Sequence, residues 1–392
     1  MILFIPTYLT AEVVIAQKEG EGDFIVKKGE ILNNVLLKAF EVAKERGESV
    51  LLKAGEYVLR TPFLFPSEAT LIGEGSGKTV IKLKWGGYIA KIGYALISNE
   101  NWDKEVGDKN IHLEGIEMYC DSEWPKWEKG SRMIVFYKVE NLVIKNCYFH
   151  HSRNGGPLHI WNCKNVLVEK TESAYSWGEG GDAAFKLGNV ENAKVIDCEA
   201  HHYNPLAFNV AGSKNVVLQN CYGHDSISGC WIEGGKKGEH IGVKVINCRF
   251  ENNRNEGVGA IYGREVEIRD CNFKNSAIQI FLPEKNVMIK NNRLIKSSIA
   301  IRGGEKVKVL DNLVEEGDIK IFGKGIEVKN NKIVCGIIEV LPKGIVYGKK
   351  METSDILILH NYITTEKKDA IKVKGEIPDL KMEGNQIAKK ER

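Results

Sequence analysis

A short phrase recurs through most of this chain and limits what it can fold into. It reads Ile144-Lys145-Asn146-Cys147-Tyr148-Phe149 and returns around Cys198, Cys221, Cys248 and Cys271, then around Asn292, Asn312, Asn331, Asn361 and Asn385. With Thr171 holding the equivalent place in one copy, successive copies lie 19 to 30 residues apart. A strand-like unit at such a period is the mark of a solenoid, in which each unit buries its apolar face only against its neighbours.

Take the Cys, Thr or Asn as an anchor. Three residues earlier the chain is always apolar, from Ile144 and Val168 through Val328 and Ile358 to Met382. Two residues later it is mostly apolar, as at Phe149, Ala200, Phe250, Phe273, Leu294 and Ile333. Period-two alternation on both sides means strands with one buried face. The two parities disagree across the residue before the anchor, so the chain must bend there. Most residues at that place are Asn, Asp, His or Gly (Lys170 excepted), types that tolerate positive φ. The anchors themselves should point inward, about 4.8 Å apart up the stack. Interior asparagines then bond to one another and to backbone, while cysteine acts as a small apolar filler. A metal or redox role for these cysteines lacks any CxxC spacing.

Further short strands follow each phrase, for example Leu158–Trp161, Phe185–Leu187, Phe208–Val210 and Cys230–Glu233. The expected fold is therefore all-β: a single-stranded right-handed parallel β-helix of about 10–12 coils. Asn33 to Arg46 carries Val35, Leu36, Ala39, Phe40 and Ala43 at helical spacing, with Asn33 or Asn34 as N-cap and Gly47 behind. An amphipathic helix there caps the open end of the core. One domain over 1–392 is expected, with the cap and first coils at 1–98 and an irregular insert at 99–131. Groove coils follow at 132–262 and short scaffold coils at 263–392. The insert, with Trp102, Trp124 and Trp127, either borders a cleft or packs as a flap. Gly73-Glu-Gly-Ser-Gly77 resembles a phosphate loop but is followed by strand-like Thr79-Val-Ile81 rather than a helix.

A net charge of +3 gives no reason to expect a nucleic-acid partner, and no run is long enough for a membrane span. Nine cysteines, an odd number mostly in one buried column, do not read as a secreted disulfide framework. Stacking brings neighbours such as Cys198 and Cys221 within disulfide reach, which leaves oxidation open. Met1–Ala11 is either a first strand or a truncated signal peptide, its apolarity fitting both.

The segment from about 13 to 83, with Gly22-Asp23-Phe24, the helix and the run from Val50 to Leu83, resembles the opening of pectate-lyase-superfamily proteins. The later repeats resemble right-handed β-helices of the carbohydrate-binding and sugar-hydrolase kind. That resemblance implies the fold and a carbohydrate ligand. It carries no catalytic residue onto this chain: the polygalacturonase motifs, the Asp-Pro-His of mannuronan epimerases and the Arg-x-Pro-x-x-Arg of pectate lyases are absent, and Gly223-His224-Asp225 is a faint echo of one of them.

Chemistry concentrates between 150 and 260. Seven of the nine histidines (150, 151, 159, 201, 202, 224 and 240) lie there. The places three and four after the anchor read His150/His151, Ala174/Tyr175, His201/His202 and His224/Asp225, which should leave the buried strand and stack along one outer edge. Outward places of the next strand add His159, Trp161, Lys186, Asn209, Trp231 and Glu233. Aromatics beside acids and bases suit a sugar polymer, whose C–H faces stack on rings while its hydroxyls bond polar groups. Lys186, His202, His224, Asp225, Glu233 and Arg254 are the expected catalytic set. His151, Arg153, His159, Trp161, Trp177, Tyr203, Asn209 and Trp231 are the expected binding set. Glu179 and Asp182 are the only candidates for calcium, few for its six to eight oxygens. Imidazoles and bases outnumber carboxylates, favouring lyase over hydrolase chemistry on an acidic polysaccharide. The rival expectations are a non-catalytic glycan-binding or adhesin module and a purely structural surface protein. The substrate class favours an extracellular or cell-surface location.

Overall fold

The computed structural model describes residues 12–92, 94–120, 132–152, 155–177, 182–234, 241–283 and 285–389. By contact density the chain divides into two compact units, Met1–Pro205 and Leu206–Arg392. In each, a coil is built from three short strands that pair in parallel with the same strands of the next coil. In unit 1, for example, Leu158–Trp161, Lys164–Glu169 and Glu172–Trp177 make one coil. His159 lies in register with Lys186, Val168 with Val195, and Ser173 with Ala200. Two strands of each coil belong to a first sheet and the third to a second, separate sheet. The parallel β-helix is thus the observed architecture.

The bend inferred before each anchor is present throughout. Asn146, Lys170, Asp197, Asn220, Asn247, Asp270, Asn291, Asp311, Asn330, His360 and Gly384 all have φ between 47° and 64°. The left-handed backbone turns the chain between sheets at the cost of one residue. The anchors from Cys147 to Asn361 are buried. In unit 2 the ladder runs from Asn292 through Asn312, Asn331 and Asn361 to Asn385. Each amide oxygen accepts from both the backbone and the side-chain N–H of the preceding rung, at 2.9–3.0 Å. Cys248 and Cys271 fill the same role, taking the N–H of Cys221 at 3.4 Å and of Cys248 at 3.3 Å on sulfur. All nine cysteines are free.

Three expectations change. The helix spans Asn33–Arg46 and ends on Gly47 at φ 67°, but its N-cap is Leu32. Asn33 instead bonds the backbone of Arg60, donating at 2.7 Å and accepting at 2.8 Å, which ties the helix to the first coils. The supposed insert is partly regular: Asp108–Glu114 and Glu117–Cys120 are coil strands, since Ile111/Leu113 and Ile116/Met118 alternate inward. Trp124 and Trp127, like Met1–Ala11, lie outside the described residues. The scaffold coils carry an antiparallel hairpin, Lys343–Val346 with Lys349–Glu352, which coil periodicity gives no sign of.

Candidate functional site

Unit 1 gathers five ionisable side chains at one edge of the first sheet. Arg132 opens the strand Arg132–Tyr137, His159 sits in Leu158–Trp161, Lys186 in Ala183–Gly188, and Asp182 directly precedes that strand. Tyr203 arrives from the second sheet, just past a corner at His202. Arg132 Nη2 donates to Asp182 Oδ1 at 3.3 Å, and His159 Nε2 stands 3.7 Å from the same oxygen. Lys186 Nζ lies 5.4 Å from the centre of the Trp161 ring.

Burial makes this group unusual. His159 has no exposed surface, Tyr203 1 % and Asp182 4 %. Among the described residues the Tyr203 hydroxyl and the His159 ring nitrogens lack a well-formed hydrogen bond, His159 keeping only loose contacts to Asp182 and the Ala183 backbone. A buried polar group left unpaired costs about 1–3 kcal/mol, so such groups call for an explanation beyond packing. Desolvation, then the charges of Arg132 and Lys186, hold the His159 imidazole well below its usual 6.5, with the Ala183 backbone pulling weakly the other way. Burial pushes the Asp182 carboxyl up, opposed by Arg132 and Lys186. Burial and the Asp182 charge push the Tyr203 phenol well above 10, opposed by Arg132. The site therefore holds a neutral imidazole and a neutral phenol beside two cations and one carboxyl.

His159 points outward by strand parity, as expected, yet it is sealed. The reason is Gly156, packed so closely that a Cβ there would sit 2.2 Å from His159 Nε2. Because the folded-state value lies below the unfolded one, the stabilisation from neutral His159 is complete above about 6.5 and is lost as pH falls toward the folded value. NMR titration of the histidines should find His159 uncharged at pH values where an ordinary imidazole is half protonated. A His159 resonance titrating at 6.5 or higher would contradict this environment.

The other expected residues are distributed differently. His151 and His202 are exposed corner residues on the second sheet, at φ 56° and 49°. Their rings sandwich Tyr175 at 5.7 and 5.1 Å, which covers both faces of that phenol ring. His150 and His201, next to them, are buried and paired to Glu117 at 3.1 Å and to Glu172 at 3.0 Å. His202 is exposed and stacks on Tyr175, whereas the next residue of the same strand, Tyr203, is the one that is buried. Trp161 and Lys186 do lie together, the indole covering Gly188, where a Cβ would meet the ring at 2.2 Å. Asp182, considered for calcium, faces Arg132 instead; Glu179 and Arg153 lie outside the described residues, and Trp177 ends the strand Glu172–Trp177.

In unit 2 the expected set also splits. His224 Nδ1 meets Asp225 Oδ2 at 2.6 Å at a corner of the second sheet, and Arg254 is exposed just past the next corner. Asn209, Trp231 and Glu233 stand on the first sheet, Asn209 in register with Trp231. Asn209 is fully buried rather than presented to a groove, and its Nδ2 donates to the Trp231 carbonyl at 3.0 Å and to Glu233 at 3.5 Å. Arg132 was missed altogether. Its one sequence signal was a charge at the head of the apolar strand run Met133–Phe136.

A family profile for the right-handed beta helix region matches residues 114–241 and 236–391. The chain belongs to this right-handed β-helix family. Among curated proteins, the preneck appendage protein of Bacillus phage PZA is 26 % identical over 191 residues, 48 % of this chain and 21 % of that protein. The pre-neck appendage protein of Bacillus phage phi29 is 24 % identical over a similar stretch. This chain spans about a fifth of the length of these relatives. Among solved β-helices, the A-module of the Azotobacter vinelandii mannuronan C-5 epimerase AlgE6 aligns over 91 % of this chain and 95 % of its own, at 14 % identity and a TM-score of 0.55. The catalytic unit of a GH87 α-1,3-glucanase from Streptomyces thermodiastaticus aligns over 90 % and 65 %, at 12 % identity and 0.53. The Streptococcus pneumoniae surface protein and adhesin PfbA aligns over 89 % and 96 %, at 14 % identity and 0.50. At these identities the likeness shows the fold. No helix among the described residues is long and apolar enough to cross a membrane.

Proposed function

We propose that the protein binds an acidic polysaccharide at the unit 1 cluster and removes the proton beside a uronate carboxylate. The observation that carries this reading is the buried neutral pair His159 and Tyr203, without well-formed hydrogen bonds among the described residues and set beside Arg132 and Lys186. In the proposed reaction the cations neutralise the sugar carboxylate and His159 takes the C5 proton. The C4–O bond then breaks, and Tyr203 gives its proton to the departing oxygen, leaving a C4–C5 double bond. Asp182 compensates the Arg132 charge and fixes its position. Glycoside hydrolysis wants two carboxyl groups across the bond, and the described residues of this cluster offer one. Since His159 is sealed, the reading requires Gly156 to move aside when substrate enters.

A binding-only reading is supported by a different observation: several relatives are, by name, a phage appendage protein or a surface adhesin. Under either reading we place the protein at a cell or virion surface, where such polymers are met. Incubation with a panel of oligouronates, followed by ultraviolet absorbance of unsaturated ends, separates the two. Lys186→Gln is expected to lower kcat/KM about 10-fold, the loss of ~1.4 kcal/mol of charge stabilisation. Binding with no unsaturated product in the unaltered protein would leave only the binding role.

A further inference from the structure

Beyond that reading, the geometry points to a second carbohydrate site, in unit 2, that takes a neutral hexopyranose. Its floor is the outer face of the first sheet, and its wall is the hairpin Lys343–Glu352. The Trp231 indole lies flat over Gly259, where a Cβ would meet the ring at 2.2 Å, and is partly open to solvent. Phe281 packs 5.9 Å from Trp231, and Tyr347 at the exposed hairpin tip packs 5.9 Å from Phe281. Those three rings form an aromatic corner of the sort on which a pyranose C–H face rests.

Polar groups converge on the same corner. Glu256 is 5 % exposed and accepts from the Ser228 hydroxyl at 2.5 Å, and its side chain leans toward Gly259 beside the indole. Arg302 stands 5.4 Å from the Phe281 ring. Partial burial, then the charges of Glu256 and Tyr262, push the Tyr347 phenol up, with Arg302 opposing and Glu233 adding to it. Two carboxyls face one guanidinium, and Lys349, 5.0 Å from the Tyr262 ring, supplies the second cation. Among the described residues named here, two carboxyls and two cations balance. A balanced set of acceptors and donors over aromatic faces suits the hydroxyls of an uncharged sugar.

The test is calorimetric titration of the intact chain with neutral gluco-, galacto- and manno-oligosaccharides, and separately with oligouronates. At least one neutral series should bind, and Trp231→Ala and Tyr347→Ala should each weaken it about 10-fold or more, equivalent to ~1.4 kcal/mol. Tyr347 is 61 % exposed, so its replacement tests the site with little risk to folding. The inference is overturned if no neutral series binds, if both substitutions leave its affinity unchanged, or if only oligouronates bind at Trp231. Oligouronate turnover, read in parallel, reports on the unit 1 cluster, so failure of one reading is seen apart from failure of the other.

Discussion

Tyr203→Phe is expected to lower turnover of an oligouronate by about 10²–10⁴, the usual scale for losing a positioned acid or base. The same substitution should leave thermal stability unchanged or slightly raised. In the structure the Tyr203 hydroxyl is buried, has no hydrogen-bond partner among the described residues and feels the Asp182 charge. Removing an unpaired buried hydroxyl relieves a desolvation cost of about 1–3 kcal/mol while keeping the ring that fills the space. A role in packing predicts the reverse pattern, with activity kept. Comparing kcat with the melting temperature therefore decides between them. Full activity in Tyr203→Phe would remove this residue from the reaction.

The second large effect concerns the core. Asn331→Ala is expected to destabilise unit 2 by roughly 3–6 kcal/mol, from three buried groups orphaned at once. The Asn331 oxygen accepts both the backbone and side-chain N–H of Asn312, and its Nδ2 bonds the Val309 carbonyl at 2.9 Å. Asn331→Cys should cost less, roughly 1–3 kcal/mol, because a sulfur at the same rung still accepts a backbone N–H. The chain already uses that solution at Cys248 and Cys271. Urea denaturation of the two variants, with amide exchange in the coils around Asn312 and Asn361, measures the difference. Equal losses for alanine and cysteine would show that packing, not hydrogen bonding, holds the column.

Much of this fold was legible in the sequence because its determinants are local. A parity break fixes a corner, and eleven corners, nine of them at Asn, Asp or His, fall where the alternation placed them. The inward anchors followed from the same count. The site was harder. Parity tells whether a side chain faces in or out, but a coil with three strands has several outer faces. That is why His202 and Lys186 looked like neighbours, although they stand on different sheets of the coil. Parity also says nothing of what lies on top, so His159 and Asn209 were expected at a surface and are fully buried. Arg132 comes 27 residues before His159 and 50 before Asp182, and its ion pair to Asp182 exists only once the coils stack. The hairpin at 343–352 has its own two-strand alternation and breaks the coil period, leaving the Tyr347 wall invisible to repeat counting.

The column of free thiols has a practical corollary. Burial pushes Cys147 in that column, and Cys163 at another corner of the coil, up to about 12, so at neutral pH these two stay protonated and poorly nucleophilic. A scaffold braced this way draws nothing from S–S bonds. The same folded product is then expected from a reducing bacterial cytosol and from an oxidising secretory pathway.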